Sequence, residues 1–127
     1  MSITIIKAGL FSTVQDSGRK GFQHLGINPN GAMDPLAMQI ANLLIQNKSD
    51  EAVFEFFYPA PVFRFNTAAF IALSGADFVA SINDIPVPIN HPIFVPENAV
   101  LSFTKKQSGH IGYLAIQGGL ELNEWMN

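Results

Sequence analysis

The sequence of 127 residues contains no cysteine, few charged residues and no long apolar run. The absence of cysteine excludes disulfide bonds, thiolate metal sites and a cysteine nucleophile. The apolar runs are far shorter than the ~20 residues that a membrane-spanning helix needs. The first residues, MSITIIKAG, are too short and too polar at their flanks for a signal peptide. We therefore expect a cytoplasmic protein without a membrane segment.

Charge is scarce and evenly spread. Charged residues make up 13% of the chain, the formal net charge is −3, and the seven Lys and Arg residues are scattered. This pattern lacks the basic patch that nucleic acid or anionic lipid requires. Apolar residues, including eleven Phe, make up 48% of the chain, which indicates one globular domain with a buried core over residues 1–127.

Several motifs of catalysis and cofactor binding are also absent. No GxxxxGK[ST] sequence is present, so the chain has no P-loop for ATP, and no serine nucleophile elbow appears. The three histidines, His24, His91 and His110, lack metal-ligand spacing. The sequence therefore predicts no metal site and no cofactor bound by a recognisable motif.

Most of the chain has the pattern of short β-strands separated by turn residues. The strand candidates are 3–7, 11–14, 52–57, 62–65, 68–74, 78–82, 99–104 and 111–116. Asn83-Asp84 predicts a tight hairpin turn, and four prolines within 85–96 predict strands that are short or at a sheet edge. We expect an antiparallel β-barrel or sandwich with one helix.

The phenylalanines alternate within these strands and are expected to form the core. Phe56 and Phe57 are adjacent, so they must face opposite sides of a regular strand. The core candidates are Phe54, Phe56, Phe57, Phe63, Phe65, Phe70, Phe78, Phe94 and Phe103.

One helix is predicted from Asp34-Pro35 to about Asn47. Asp34 suits the N-cap, because its carboxylate can accept from the free N–H groups of the first turn, and Pro35 suits the first helical position. Helical spacing predicts a buried stripe of four larger side chains, flanked by Met33, Ala37 and Ala41. That stripe consists of Leu36, Ile40, Leu43 and Leu44.

The polar residues cluster before and around this helix, within 12–47. Gln15 and Asp16 follow a strand, where binding sites are commonly built. Asp16 is suited to orient a base or to hold Arg19, and Arg19 can bind a substrate carboxylate with two hydrogen bonds. In the structural alternative, an Asp16–Arg19 pair only ties down the glycine-rich loop. His24 suits a general acid or base, or a hydrogen-bonded scaffold role.

The loop from Gly26 to Met33 leads into the helix and contains Gly31 near its end. Its N–H groups at a helix N-terminus favour an anion such as a carboxylate, carbonate or phosphate. Asp34 is then both a helix cap and a candidate substrate contact. We assign Asn42 a structural role, hydrogen-bonded to the backbone of the glycine-rich loop.

Five motifs then occur in a recognisable order: TVQDSGRKG (13–21), GINPNGAMD (26–34), ANLL..N (41–47), LSGAD (73–77) and YLAIQGG (113–119). They resemble the biotin-dependent carboxyltransferase family. That family includes the C-type subunit of bacterial 5-oxoprolinase and part of the carboxyltransferase domain of urea carboxylase. Older names for it are allophanate hydrolase subunit 2 and the antagonist of a sporulation kinase inhibitor. The resemblance implies a cyclophilin-like antiparallel β-barrel, here as an N-terminal domain over 1–127.

The resemblance also implies an activity. With a sister subunit, 5-oxoprolinase members open 5-oxo-L-proline to L-glutamate and consume ATP. On this interpretation Asp16, Arg19 and His24 are catalytic. One alternative is transfer of a carboxyl group from carboxybiotin to urea or a related amide. The other is a non-catalytic module that binds a kinase-inhibitor-like partner.

The substrate under either enzymatic hypothesis is a small anionic or amide molecule, and Gln15, Gly31 and Asp34 are expected to bind it. The chain departs from the family pattern at Gln46, where glycine is usual, and at Ile111 in GHIGYLA (109–115), where arginine is expected. Family members are generally longer, so we expect an N-terminal part of the family protein, inactive alone or incomplete. Apolar surface left uncovered by the rest of such a protein predicts self-association.

Overall fold

The computed structural model describes residues 3–15 and 32–119. Over these ranges the chain is mainly β with one helix, α1 (Pro35–Leu44), which confirms the predicted class. In chain order the strands are β1 (Ile3–Lys7), β2 (Leu10–Gln15), β3 (Val53–Phe57), β4 (Val62–Phe65), β5 (Ala69–Asp77), β6 (Ala80–Ile82), β7 (Ile85–Pro86), β8 (Ile93–Val95), β9 (Val100–Phe103) and β10 (Ser108–Ile116).

These strands form two antiparallel sheets of five strands each. Sheet A has the order β1-β4-β9-β6-β7, and sheet B has the order β2-β3-β10-β5-β8. Within the described ranges the two sheets are separate and do not close into a barrel. The short strands β7 and β8 lie at sheet edges, as the prolines of 85–96 predict.

The main core lies between the two sheets. Phe54 and Phe56 of sheet B meet Phe63 and Phe65 of sheet A there, and all four are at most 2% exposed. The ring of Phe63 lies 5.0 Å from that of Phe54 and 6.5 Å from that of Phe56, in tilted and edge-on arrangements that aromatic pairs favour. Phe57 is half-buried, on the other side of the strand from its neighbour, as predicted.

The prediction that the phenylalanines all lie in the core is wrong for Phe70 and Phe94. They face each other across β5 and β8 and are 46% and 54% exposed. In β5, Ile71 and Leu73 face the main core, so the alternation of the strand places Phe70 on the opposite face of sheet B.

Helix α1 packs on that opposite face and makes a third layer. Ala37, Met38, Ala41 and Ile45 form its buried side. They pack with four residues of sheet B, which are Val53, Ala72, Tyr113 and Ala115.

The predicted buried stripe of α1 is therefore wrong. Leu36 is 66% exposed, Leu43 61% and Ile40 39%, and Leu44 is half-buried. The small side chains of Ala37 and Ala41 face the sheet instead, and they let the helix backbone lie close to strands β5 and β10. The larger side chains consequently point away from the sheet.

The hairpin predicted at Asn83-Asp84 joins β6 to β7, with Ile82 paired to Ile85. Both turn residues have positive φ angles, 49° and 67°. A two-residue turn of this kind follows the twist of the flanking strands, and Asn and Asp tolerate it better than most residues. This turn prediction is confirmed.

Candidate functional site

The first turn of α1 is capped as predicted. The Asp34 carboxylate accepts a hydrogen bond from the N–H of Ala37 at 3.1 Å, and Pro35 occupies the first helical position. An acidic side chain at this place satisfies one of the free N–H groups and opposes the positive end of the helix dipole. The structure thus supports the capping role of Asp34, and its role in substrate binding stays a prediction.

A buried carboxylate lies directly below this turn. Glu55, in the middle of β3, is only 3% exposed. Its Oε2 accepts one hydrogen bond from the Tyr113 hydroxyl at 2.5 Å and another from the N–H of Met33 at 2.9 Å. The Tyr113 hydroxyl in turn accepts from the N–H of Asp34 at 2.9 Å. Glu55 and Tyr113 together hold the chain segment that enters the helix.

Glu55 and Tyr113 belong to a polar row that crosses sheet B. Tyr113 on β10 is in register with Glu55 on β3 and with Ser74 on β5. The Ser74 hydroxyl donates to the carbonyl of Ala37 at 2.6 Å. Three neighbouring strands therefore contribute one polar side chain each to the start of α1. This polar row is Glu55, Tyr113 and Ser74.

The polar row changes the expectation of an anion site at the helix N-terminus. The N–H groups of Met33, Asp34 and Ala37 all donate to groups of the chain itself. Two carboxyl groups, those of Asp34 and Glu55, already accept from these groups, and negative charge here repels a further anion. These hydrogen bonds do not support a substrate anion bound at these three N–H groups.

Tyr113 provides a pH-dependent signature of this arrangement. Burial, followed by the hydrogen bond to Glu55, raises the pKa of the Tyr113 phenol above its ordinary value near 10. Above about pH 10 the unfolded chain releases this proton and the folded chain keeps it, so stability falls as the pH rises. We expect Tyr113→Phe to remove a loss of up to ~1.4 kcal/mol per pH unit.

Urea denaturation at pH 9 to 11 measures this loss. The control is Tyr58→Phe, because the chain has only two tyrosines and the Tyr58 hydroxyl donates to the carbonyl of Thr104 at an exposed position. Tyr58→Phe is expected to keep the wild-type slope. An unchanged slope in Tyr113→Phe would contradict the prediction.

Two asparagines fasten the other end of α1. Asn42 is fully buried and donates to the carbonyls of Glu51 at 2.8 Å and Ser49 at 3.3 Å. Asn47 donates to the Asn42 side chain at 3.1 Å and to the carbonyl of Ile116 at 2.8 Å. The structural role of Asn42 agrees with these bonds, but the partner predicted for it was wrong. In the described residues it holds the segment after the helix.

The predicted catalytic residues lie outside the described residues. This applies to Asp16, Arg19 and His24, and also to Gly31. Gln15 is the last residue of β2, and its backbone is opposite Val53. Among the predicted site residues, the structure brings Asp34 together with Glu55, Tyr113 and Ser74, none of which the sequence singled out.

Glu55 had a detectable signal in the sequence. It is the one charged residue in the apolar segment AVFEFF (52–57). A carboxylate at the centre of such a strand must be paired or hydrogen-bonded when the strand is buried. Tyr113 and Ser74 carried no such signal, because their contacts depend on the strand register.

The remaining histidines in the described ranges do not form a site. His110 is exposed, with its Nδ1 2.7 Å from the Lys106 Nζ, and His91 contacts the carbonyl of Ile89. Residues 3–15 and 32–119 contain no group of three His, Asp or Glu side chains that could hold a metal ion. In the same ranges, no helix has the length and apolar character to cross a membrane.

Comparison with known proteins decides the family. Residues 25–127 match the family model described as carboxyltransferase domain, subdomain A and B. The chain belongs to this family. It is 35% identical over 120 residues to the C-type subunit of 5-oxoprolinase from Escherichia coli (strain K12), which covers 94% of this chain and 39% of the relative. It is 34% identical over 123 residues to urea amidolyase of Lachancea kluyveri, which covers 96% of this chain and 7% of the relative.

Solved structures show the same fold for this part of the carboxyltransferase domain. The crystal structure of TTHA0988 matches with a TM-score of 0.84 and 32% identity, over 94% of this chain and 24% of that one. The urea amidolyase of K. lactis matches with a TM-score of 0.83 and 32% identity, over 94% of this chain and 7% of that one. The chain thus spans less than half of these relatives.

Both departures from the carboxyltransferase-family pattern have a structural setting. Gln46 follows the last turn of α1 with φ = 64°, a left-handed conformation that glycine adopts without strain. Ile111 is partly buried and packs against the apolar cluster between α1 and sheet B. Neither the neighbouring His110 nor Ile111 supplies a guanidinium group, so arginine chemistry at this place is absent from the chain.

Proposed function

We propose that this chain is part of a cytoplasmic 5-oxoprolinase-type complex, which uses ATP to open 5-oxo-L-proline to L-glutamate together with sister subunits. The observation that carries the proposal is similarity to two bacterial relatives that are named as 5-oxoprolinase subunits. They are 35% and 30% identical to this chain and align over 94% and 98% of it. A chain of this kind contributes part of a site, because it spans 39% and 40% of those two relatives.

The residues for this reaction come from segment 15–34. Arg19 binds the substrate carboxylate, since the N–H groups at the start of α1 are already paired with the chain's own groups. His24 or Asp16 transfers the proton that the opened ring nitrogen receives. Gln15, Gly31 and Asp34 line the substrate. Water supplies the oxygen of the new carboxylate, and the ring C–N bond breaks.

ATP acts elsewhere in the complex, because the chain has no P-loop. The structure contributes a scaffold for segment 15–34. Gln15 ends a strand of sheet B, and Met33 and Asp34 are held by Glu55 and Tyr113 of the same sheet. Both ends of the segment are therefore joined to one sheet, which favours a defined arrangement of the residues between them.

The test is ATP-dependent release of glutamate from 5-oxoproline by the chain mixed with its sister subunits. Arg19→Ala is expected to lower kcat/KM about a hundredfold, because it removes a charge-assisted, two-bond contact. Arg64→Ala is the matched control, since Arg64 is the only other arginine, lies on β4 of sheet A and is exposed. We expect that control to remain within about twofold of wild type. Glutamate release that does not need Arg19 would refute its assigned role.

A second candidate function is transfer of a carboxyl group from carboxybiotin to urea or a related amide. It is supported by the 34% identity to a urea amidolyase and by the structural match to the K. lactis enzyme. In that case carboxybiotin is bound by the complex, and Arg19 and the residues around it hold the acceptor amide. Urea-dependent consumption of carboxybiotin, without glutamate release from 5-oxoproline, would favour this second function.

A further inference from the structure

The outer face of α1 is unusually apolar for a helix on a protein surface. Leu36, Ile40 and Leu43 are 66%, 39% and 61% exposed, and Met33, just before the helix, is 63% exposed. The sequence of the helix, PLAMQIANLL, contains no charged residue. A helix that is apolar on both faces is normally buried on both faces. Within the described ranges, sheet B covers one face of α1.

The spacing of these side chains indicates what covers the other face. Met33, Leu36, Ile40 and Leu43 follow one another at intervals of three, four and three residues. This is the spacing at which side chains of one helix interlock with those of a second helix packed nearly parallel or antiparallel to it. The outer face of α1, defined by these four residues, is therefore suited to a partner helix with apolar side chains.

The apolar surface continues past the C-terminal end of α1. Phe70 and Phe94 lie there on the same face of sheet B, edge to face with ring centroids 5.3 Å apart. We call this pair the phenylalanine shelf. An open cleft of about 190 Å³ separates it from the helix. The cleft is lined by Leu44, Ile45, Gln46, Phe70, Pro92 and Gln117.

We infer that the outer face of α1 and the phenylalanine shelf form the surface that binds a sister subunit, through an apolar helix of that subunit laid along α1. The inference rests on the proposed function, in which the chain acts as one subunit of a complex. Two relatives that align over nearly all of this chain are named as subunits.

The size of the surface favours a larger partner over a second copy of this chain. Helix α1 has 10 residues, so it is about 15 Å long. A contact of α1 with α1 alone buries only a few hundred Å², below the ~800 Å² per partner of a typical stable interface. A sister subunit that covers both α1 and the shelf reaches a larger area. Because the residues that define this surface are uncharged, the complex is expected to resist high salt.

The test measures the Kd between the full chain and the purified sister subunits, without ATP or 5-oxoproline. The variant is the double substitution Leu36→Glu and Leu43→Lys. It places a negative charge in the first turn and a positive charge in the last turn, which suits the helix dipole and leaves the fold intact. The control is Ile85→Glu, because Ile85 is 68% exposed and lies on β7 of sheet A.

We expect the double substitution to weaken binding at least a hundredfold, and Ile85→Glu to change the Kd less than threefold. Wild-type binding is expected to persist in 1 M NaCl. Single Phe94→Ser, on the shelf, gives a second measurement and is expected to weaken binding at least fivefold. Thermal unfolding of each variant checks that it is folded.

Unchanged binding in the double variant would overturn the inference. So would a dimer of the wild-type chain that the same double substitution dissociates, with sister-subunit binding unaffected, because a second copy would then cover this surface. A complex that forms through α1 but releases no glutamate would refute the 5-oxoprolinase activity and leave the interface standing.

Discussion

Replacement of Glu55 by alanine is expected to lower the free energy of unfolding by about 3 kcal/mol. The substitution removes the acceptor for the Tyr113 hydroxyl and for the N–H of Met33, and it leaves a cavity in the middle of β3. A buried donor without an acceptor costs about 1–3 kcal/mol, because it has given up its hydrogen bond to water. Glu55 is nearly inaccessible to solvent, so water does not readily replace the lost acceptor.

Urea denaturation of the Ala variant measures this effect. Glu97→Ala is the control, because Glu97 is exposed in the turn before β9, and it is expected to change stability by less than ~0.5 kcal/mol. Glu55→Gln keeps the shape of the side chain and one acceptor oxygen, and we expect an intermediate loss. Equal stability of Glu55→Ala and Glu97→Ala would show that the polar row does not hold the start of α1.

A double-mutant cycle separates the Glu55–Tyr113 hydrogen bond from the other contacts of the two residues. Tyr113→Phe leaves Glu55 with one donor fewer, so alone it is expected to cost about 1–2 kcal/mol. In the Glu55→Gln background the same substitution is expected to cost less, by about 0.5 kcal/mol or more, because the two groups are in direct contact. Ser74→Ala belongs to the same polar row but contacts α1 independently, through Ala37. Its effect should add to that of Glu55→Gln.

Gly75→Ala is expected to cost about 3 kcal/mol, from two separate causes. Gly75 has φ = 77°, which L-residues with a side chain rarely adopt. In addition, a Cβ at this position would collide with the carbonyl oxygen of Ile111 on the neighbouring strand. Because this oxygen belongs to the backbone of β10, it cannot move aside without disturbing the ladder between β5 and β10. The glycine of the LSGAD motif (73–77) is thus required by close strand approach.

Gly118→Ala separates the two causes. Gly118 has a similar φ of 88°, but no atom lies within 4 Å of an added Cβ. It measures the conformational cost alone, which we expect to be about 1 kcal/mol. Thermal or urea unfolding of both variants gives the comparison. If Gly75→Ala costs no more than Gly118→Ala, the contact with Ile111 is tolerated and the steric argument is wrong.

The elements of this fold could be predicted because their signals are local. The alternation in VFRF (62–65) marks β4 at its observed bounds, and Asp34-Pro35 marks the start of α1. Asn83-Asp84 marks a turn that needs two positive φ angles. In each case the residue type and its immediate neighbours determine the backbone conformation.

The orientation of α1 could not be predicted in the same way. Two faces of the helix were available, one with Leu36, Ile40 and Leu43 and one with Ala37 and Ala41. Hydrophobicity favoured the larger side chains, but closeness of approach to sheet B favours alanine. Only the packing between layers distinguishes the two. A second surface, supplied by a partner, removes the conflict, since both faces are then covered.

The polar row was missed for a related reason. Glu55, Tyr113 and Ser74 are far apart in the sequence, and they become neighbours only when β3, β10 and β5 pair in one register. The candidate residues Asp16, Arg19 and His24 were identified from their chemistry and motif, and they lie outside the described residues. The sequence therefore indicated the segment proposed to carry the chemistry, and the structure added the contacts that hold one end of it.

Met33 belongs to two of these arrangements at once. Its side chain is 63% exposed on the outer face of α1, and its N–H donates to the buried carboxylate of Glu55. A partner that contacts the side chain therefore acts on the same residue that Glu55 holds from inside. By thermodynamic linkage, any preference of the partner for one position of Met33 must be matched by an equal effect of that position on the partner's affinity. Subunit assembly and the geometry of the segment that ends at Met33 are, through this one residue, a single equilibrium.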